Sequence, residues 1–234
     1  MKQRFSFFIF LTLLMACNAK GTRNTTSSEQ SSLLDTALMV ELARMVEIDQ
    51  IAAMVPKGKY KAYSNEGWQR FQDSVFTTHQ KRLAEIFSQR GFPGYDAIGE
   101  EGSRNFWLMV QHSDFDPAFQ ETVLDAMKVQ VDKANASPSD YAMLVDRVSL
   151  NTGKPQVYGT QVTYNVEICQ VIPKSPLMDS IHVNERRADV GLEPLENYLN
   201  MMSEMHFEMN RANYEKQGIT QPVLYPTAST KSDN

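Results

Sequence analysis

Residues 137–172 read SPSDYAMLVDRVSLNTGKPQVYGTQVTYNVEICQVI, and the hydrophobic period changes inside that stretch. Ser137 before Pro138, with Asp140 three residues on, gives a helix cap, a proline at the first helical position and the acidic member of a capping box. Tyr141, Leu144, Val145 and Val148 then recur at three- and four-residue steps, which predicts a helix ending near Gly153. Beyond it the period falls to two. Val157, Gly159, Gln161 and Thr163 alternate with Tyr158, Thr160, Val162 and Tyr164, and a second β-rich run over residues 166–172 follows closely enough to pair with the first. The spacing thus predicts one β-hairpin over about residues 155–172. A lone two-stranded hairpin is marginal in water, so it must pack on helices, through Val157, Tyr158 and Ile168.

Outward from this switch the chain reads as helical. Leu34, Leu38, Leu42, Met45, Ile48 and Ala52 lie on one face of a helix that ends before Pro56. Trp68, Phe71, Val75, His79, Leu83 and Ile86 do the same for a second helix, on which His79 reads as a hydrogen-bonded core histidine. After Gly91-Phe92-Pro93-Gly94, residues 103–112 form a short helix carrying Phe106, Trp107 and Val110. Asp116-Pro117 opens a helix to about Lys133. Asn184 caps a short helix that Gly191 ends, and Pro194 begins a last long helix through Leu195, Tyr198, Leu199, Met202 and Met205. No repeat of fixed period is visible, which disfavours a solenoid. The expected fold is mainly α, an irregular multi-helix domain with one packed β-hairpin.

The N-terminus supplies an address. Lys2 and Arg4 precede the apolar residues 5–14, a charged n-region and an h-region too short for a bilayer span of about 20 residues. The run ends in Leu14-Met15-Ala16-Cys17, which resembles the lipobox of bacterial lipoproteins. Residues 1–16 are therefore expected to be a lipoprotein signal peptide, and Cys17 to carry lipid that anchors the chain to a membrane. Residues 18–32 are rich in Ser, Thr, Asn and Gln without an aromatic side chain, so residues 17–32 read as an acylated flexible tether with a reach of roughly 20 Å. Residues 33–219 are expected to form a single globular domain and residues 220–234 a loose tail. Asn18 is not the aspartate that retains enterobacterial lipoproteins at the inner membrane, so the expected place is the cell envelope, at the outer membrane.

Charge and cysteine count narrow the function classes. Loss of residues 1–16 removes two cations and no acid and moves the formal net charge from −5 to −7, which argues against nucleic acid as a partner. With Cys17 lipidated, Cys169 is left without a disulfide partner in the chain and reads as a small packed residue. There is no H-E-x-x-H, no pair of Cys-x-x-Cys, no G-x-S-x-G and no Walker loop. Gly94, Gly99 and Gly102 stand beside Glu100 and Glu101, which suits a turn better than a phosphate cradle. Met201, Met202, Met205 and Met209 lack the histidine spacing of a copper site and read as an adaptable helix face, so no metal is expected and no cofactor is implied.

The densest polar cluster is Gln111-His112-Ser113-Asp114. A histidine beside a carboxylate can shuttle protons, but it can also complement a helix C-terminus while Asp114 and Asp116 cap the next helix. Together with Gly99-Glu100-Glu101-Gly102, the run 106–114, Asp116-Pro117-Ala118-Phe119-Gln120, Asp146-Arg147-Val148, the run 153–161 (GKPQVYGTQ) and Glu185-Arg186-Arg187 through Leu195, it resembles the motifs of the bacterial family called domain of unknown function 6624. The resemblance covers the chain from about Leu38 to Leu199, and GKPQVYGTQ is its most specific part. It implies one domain and a set of candidate positions but no reaction. Those positions are Gln111, His112, Asp114, Asp146, Arg147, Gln156, Tyr158, Gln161, Arg186 and Arg187, several of which are expected to converge on a polar cleft where helices meet the hairpin. The leading expectation is an envelope-anchored binding module for a small polar ligand or an envelope protein. A hydrolase using His112 and Asp114 for acid–base chemistry and a scaffold with an exposed apolar patch are the alternatives.

Overall fold

The computed structural model describes residues 34–227. Cys17 and the signal and tether segments lie outside the described residues. The chain divides into two compact units, Met1–Ser113 and Asp114–Asn234.

In the first unit, Asp35 caps α1 (Thr36–Ala53) by accepting the Leu38 N–H at 2.9 Å. A 3₁₀ turn, Gly58–Ala62, leads to α2 (Asn65–Arg90), which Ser64 caps through the Gly67 N–H. Gly91, at φ 70°, ends α2 with its N–H on the Phe87 carbonyl. α3 spans Tyr95–Val110 but is two helical segments that meet at a kink, Gly99 at φ 70°, so the turn expected at that glycine is present and the longer segment begins a few residues before Ser103.

α1 packs against α3 and α2. Its inward face is Leu38, Leu42, Asp49 and Ala52, and not the full stripe expected, since Leu34 and Ile48 are 40% and 39% exposed. A carboxylate thus occupies a core position. Leu83, Ile86, Ile98, Phe106 and Trp107 fill the rest of this core, each essentially inaccessible and contributing about 1.5–3 kcal/mol by burial.

In the second unit the caps read from sequence are in place. Asp116 accepts the Phe119 N–H for α4 (Pro117–Asp132), and Ser137 accepts the Asp140 N–H for α5 (Pro138–Asn151). The hairpin is shorter and later than expected. β1 (Val162–Asn165) pairs antiparallel with β2 (Gln170–Pro173), with Val162 opposite Pro173 and Asn165 opposite Gln170. Residues 157–160 do not join it, because the Asp146 side chain takes up the N–H groups of Val157, Tyr158 and Thr160, while Gln156 makes an isolated parallel bridge to Leu177. The side chain that carries the packing also differs. Ile168 sits in the turn, 38% exposed, whereas Val171 is fully buried with Val183, Leu195 and Leu199.

The short helix α6 (Val183–Asp189) is not capped by Asn184. That side chain serves the next helix, α7 (Leu195–Lys216), accepting the Leu195 N–H at 2.7 Å and donating to Glu196. α7 backs the hairpin, and Ser203 Oγ accepts the Val171 N–H at 2.9 Å. Along the same helix Met202 packs on the hairpin cluster while Met209 is 50% exposed. The tail expected to be loose is docked as far as it is described: Tyr225 exchanges two hydrogen bonds with the Asn200 amide, and the Val223 N–H reaches the Ile168 carbonyl. Two prolines did not prevent this, because a side-chain amide on α7 supplies the pairing that a strand would otherwise give.

Candidate functional site

Of the ten candidate residues, Gln111 and His112 belong to the first unit and the other eight to the second. In the first unit, α1 carries Asp49, α2 carries His79, and His112 follows the end of α3. His112 Nδ1 lies 2.6 Å from Asp49 Oδ2, and His79 Nδ1 lies 3.5 Å from Asp49 Oδ1. A carboxylate only accepts, so the shorter bond places the proton on His112 Nδ1 and turns Nε2 away from Asp49. The Phe76 ring packs on the imidazole, centroids 5.1 Å apart. Burial alone would raise the Asp49 pKa, but the two imidazoles, His112 foremost, outweigh it and hold the carboxyl below the usual range. The carboxylate that orients His112 is therefore one the sequence reading did not name. The signal was available: position 49 falls four after Met45 and three before Ala52, on the stripe assigned to the core. The His112 side chain is only 6% exposed, and Gln111 is wholly buried.

In the second unit Asp114 and Arg147 form a bidentate pair, Nε to Oδ1 and Nη2 to Oδ2, both 2.7 Å. Asn151 and Gln120 add amide donors to Asp114 Oδ1 at 2.8 and 3.3 Å. The Arg147 side chain is 4% exposed and the Asp114 side chain 32%, so the cation lies beneath and the carboxylate at the rim. Burial opposes ionisation of Asp114, and the guanidinium overcomes it, so the carboxyl stays below its ordinary range. Lys174, half-buried, is pushed below the ordinary lysine value by desolvation and then by the charge of Arg147, with Asp114 opposing.

The next residue on α5 turns to the loop before the hairpin. Asp146, with no accessible surface, accepts four hydrogen bonds: the N–H groups of Val157 (2.6 Å) and Tyr158 (2.9 Å) on Oδ1, and the N–H and hydroxyl of Thr160 (2.8 and 2.9 Å) on Oδ2. Gln156, also fully buried, accepts the Gln161 N–H and donates to the carbonyls of Gln161 and Lys174. From α6, Arg186 donates to the carbonyl of Val157 at 2.9 Å and to those of Met178 and Asp179. Arg187, 1% exposed and 5.2 Å from the centroid of the Tyr198 ring, donates to the carbonyls of Tyr158 and Glu193. Four of the candidates, Asp146, Gln156, Arg186 and Arg187, thus act on backbone, while the Gln161 amide donates to the Thr160 hydroxyl at 3.3 Å. The four fix the loop that presents Tyr158, whose half-buried hydroxyl burial moves above the usual tyrosine value.

Gly159 is part of the same clamp. It sits at φ 72°, and a Cβ there would stand 2.9 Å from Leu195 Cδ1. Gly159→Ala is expected to cost about 2 kcal/mol from strain and crowding together, measurable as a lowered urea midpoint at unchanged slope.

A family model described as a family of unknown function (DUF6624) matches residues 37–209. The chain belongs to that family. No curated protein and no solved structure matches it. The match spans parts of both units, so the candidate residues of this DUF6624 chain all lie inside the family segment.

Other features of the chain bear on chemistry. A shallow depression of about 290 Å³ between α4 and α5 is lined by Glu121, Asp125, Ser149 and Lys154 among others, and by none of the ten candidates. Cys169 is buried, and the Tyr214 hydroxyl beside it also bonds His206 Nε2 at 2.9 Å. A histidine therefore does stand near this thiol, through a tyrosine, where the sequence offered none. Burial pushes the Cys169 thiol up, which is the environment of a packed residue and not of a nucleophile. Among the described residues, no group of three His, Cys, Asp or Glu is arranged to hold a metal ion.

Proposed function

We propose that this DUF6624 chain is a binding module, held at the cell envelope by lipid on Cys17, whose recognition surface is the fixed loop 156–161 with the Asp114–Arg147 pair and Lys174 beside it. The ligand class is a small polar molecule rich in hydrogen-bond donors, since the fork of Arg147 is taken by Asp114 and it is the Asp114 carboxylate, held in place by that fork, that stands at the rim as an acceptor.

The observation that carries this reading is the immobilised loop. Its N–H and C=O groups are held by buried Asp146 of α5 and by Arg186 and buried Arg187 of α6, so presenting it to a ligand has no ordering cost left to offset. A hydrolase using His112 is less well supported. Its imidazole is buried and engaged by Asp49, while Asp114, the partner first considered, is engaged by Arg147.

The test is a thermal-shift panel of amino sugars and short peptides on the full chain. Saturation at about a hundred times Kd adds about 2.7 kcal/mol, which raises Tm by roughly 5–10 °C in a protein of this size. Arg147→Lys, which keeps charge but loses the fork, is expected to abolish that shift and to lower basal stability by about 1.5 kcal/mol. A panel that leaves Tm unmoved, or a shift that survives in the lysine variant, overturns the assignment.

A further inference from the structure

Among the described residues, no helix covers a second apolar face of α1. Ala37, Val40, Ile48 and Ile51 lie along its outer side, and they and Val55, just past its C-terminus, are exposed, Val40 by 49% and Val55 by 52%. Arg44 and Glu47 are the charged residues on that side. The stripe runs directly into the 3₁₀ turn Gly58–Ala62, where Lys57, Lys59 and Lys61 are exposed and Tyr63 is 45% exposed. Rings of Tyr60, Tyr63, Trp68 and Phe71 lie 5.2–6.1 Å apart, centroid to centroid, and Lys59 Nζ stands 5.1 Å from the Tyr60 ring centroid. No carboxylate among the described residues pairs with Lys57, Lys59 or Lys61.

We propose that this face of α1 and the lysine–tyrosine turn after it dock on an anionic phospholipid surface. Three features select that occupant. The patch is cationic in a chain of net charge −5, so it calls for an anionic partner and repels a second copy of itself. Aliphatic side chains in a helical stripe have no use against a nucleic-acid backbone, whereas they bury at the boundary of headgroups and acyl chains while flanking lysines reach the phosphates. Tyrosine rings grouped beside lysines suit the headgroup layer, being apolar in body and polar at the tip.

Geometry also permits it. α1 has 18 residues and is about 27 Å long, so its exposed face can lie along a membrane surface. Among the described residues no helix is long and apolar enough to cross a membrane, and the contact proposed is peripheral.

The experiment mixes the full chain with vesicles of phosphatidylcholine, or of phosphatidylcholine with a third of the lipid replaced by phosphatidylglycerol. Amine-reactive labelling is then read residue by residue by mass spectrometry. Three lysines at an anionic surface amount to a preference on the order of a hundredfold over neutral lipid. Lys57, Lys59 and Lys61 are therefore expected to be protected on the anionic vesicles and relabelled in about 1 M salt, where screening is complete within roughly 3 Å. Lys128 and Lys154, exposed in the second unit, are expected to label alike throughout. The triple variant Lys57→Glu, Lys59→Glu, Lys61→Glu is expected to lose the lipid preference while keeping the wild-type circular dichroism. Equal labelling of the three lysines on both vesicles overturns the proposal, and the wild-type arms decide this without any variant. Flotation with neutral vesicles reads the lipid anchor separately, so either idea can fail alone.

Discussion

Asp146→Ala is expected to lower the stability of the protein by about 4 kcal/mol. The carboxylate has no accessible surface and accepts three N–H groups and one hydroxyl from residues 157–160. Its removal leaves those donors buried without an acceptor, at a cost of about 1–3 kcal/mol each before the loop relaxes to recover part of it. Asn in the same place keeps the shape but turns an NH₂ toward N–H donors, so it rescues little. Chemical denaturation gives the number directly, and a loss under about 1 kcal/mol would mean that the loop is not held by this carboxylate.

Asp49→Asn is the second large effect, and its signature is a dependence on pH. A hydrogen bond to a charged group contributes about 1.5–3 kcal/mol, and Asp49 is fully buried between two imidazoles. Its folded-state pKa is depressed below the ordinary 3.8: burial pushes it up, but His112 and His79 more than reverse that. A depressed carboxyl contributes stability that is fully present above its unfolded pKa and lost as pH falls through its folded one. The gap in stability between wild type and Asp49→Asn should therefore be wide at neutral pH and close as the pH drops below 3.8. Urea midpoints across that range check it. A gap that stays constant into strong acid would show that the charge of Asp49 does not matter to the fold.

What could be read from the sequence, and what could not, divides along physical lines. Local chemistry was legible. Asp116-Pro117 and Ser137-Pro138 cap their helices as read, because a short acceptor side chain followed by proline needs no tertiary context to form an N-terminus. The mainly α class with one hairpin followed from the change of period near residue 157. The extent of the hairpin was not legible. Alternation over residues 157–161 is the pattern of a strand, yet the amides there go to Asp146 and Gln156, side-chain acceptors that the preceding helix and the loop itself supply.

The candidate site shows the same split. The residue types at 146, 156, 186 and 187 stood out as polar, but a list of polar residues cannot tell a group that faces a ligand from one that holds a backbone. Only burial and partners separate them. Asp49 was missed because a charged residue on an apolar stripe reads as an interruption of it. The exposed face of α1 was missed for the opposite reason: Ile48, in the stripe assigned inward, and Val40, Ile51 and Val55 beside it all contribute apolar character, and sequence alone cannot say which side of a helix its neighbours cover.

Residues 156–161 are held rigidly by side chains and are not an ordinary connecting loop. Native-state amide hydrogen exchange tests this most directly, through the N–H groups of Val157, Tyr158 and Thr160 that Asp146 accepts. The prediction is that these three exchange as slowly as the central amides of α5, through the same global opening. Exchange at the rate of an unstructured peptide while α5 remains protected would contradict the clamp and the binding surface built on it.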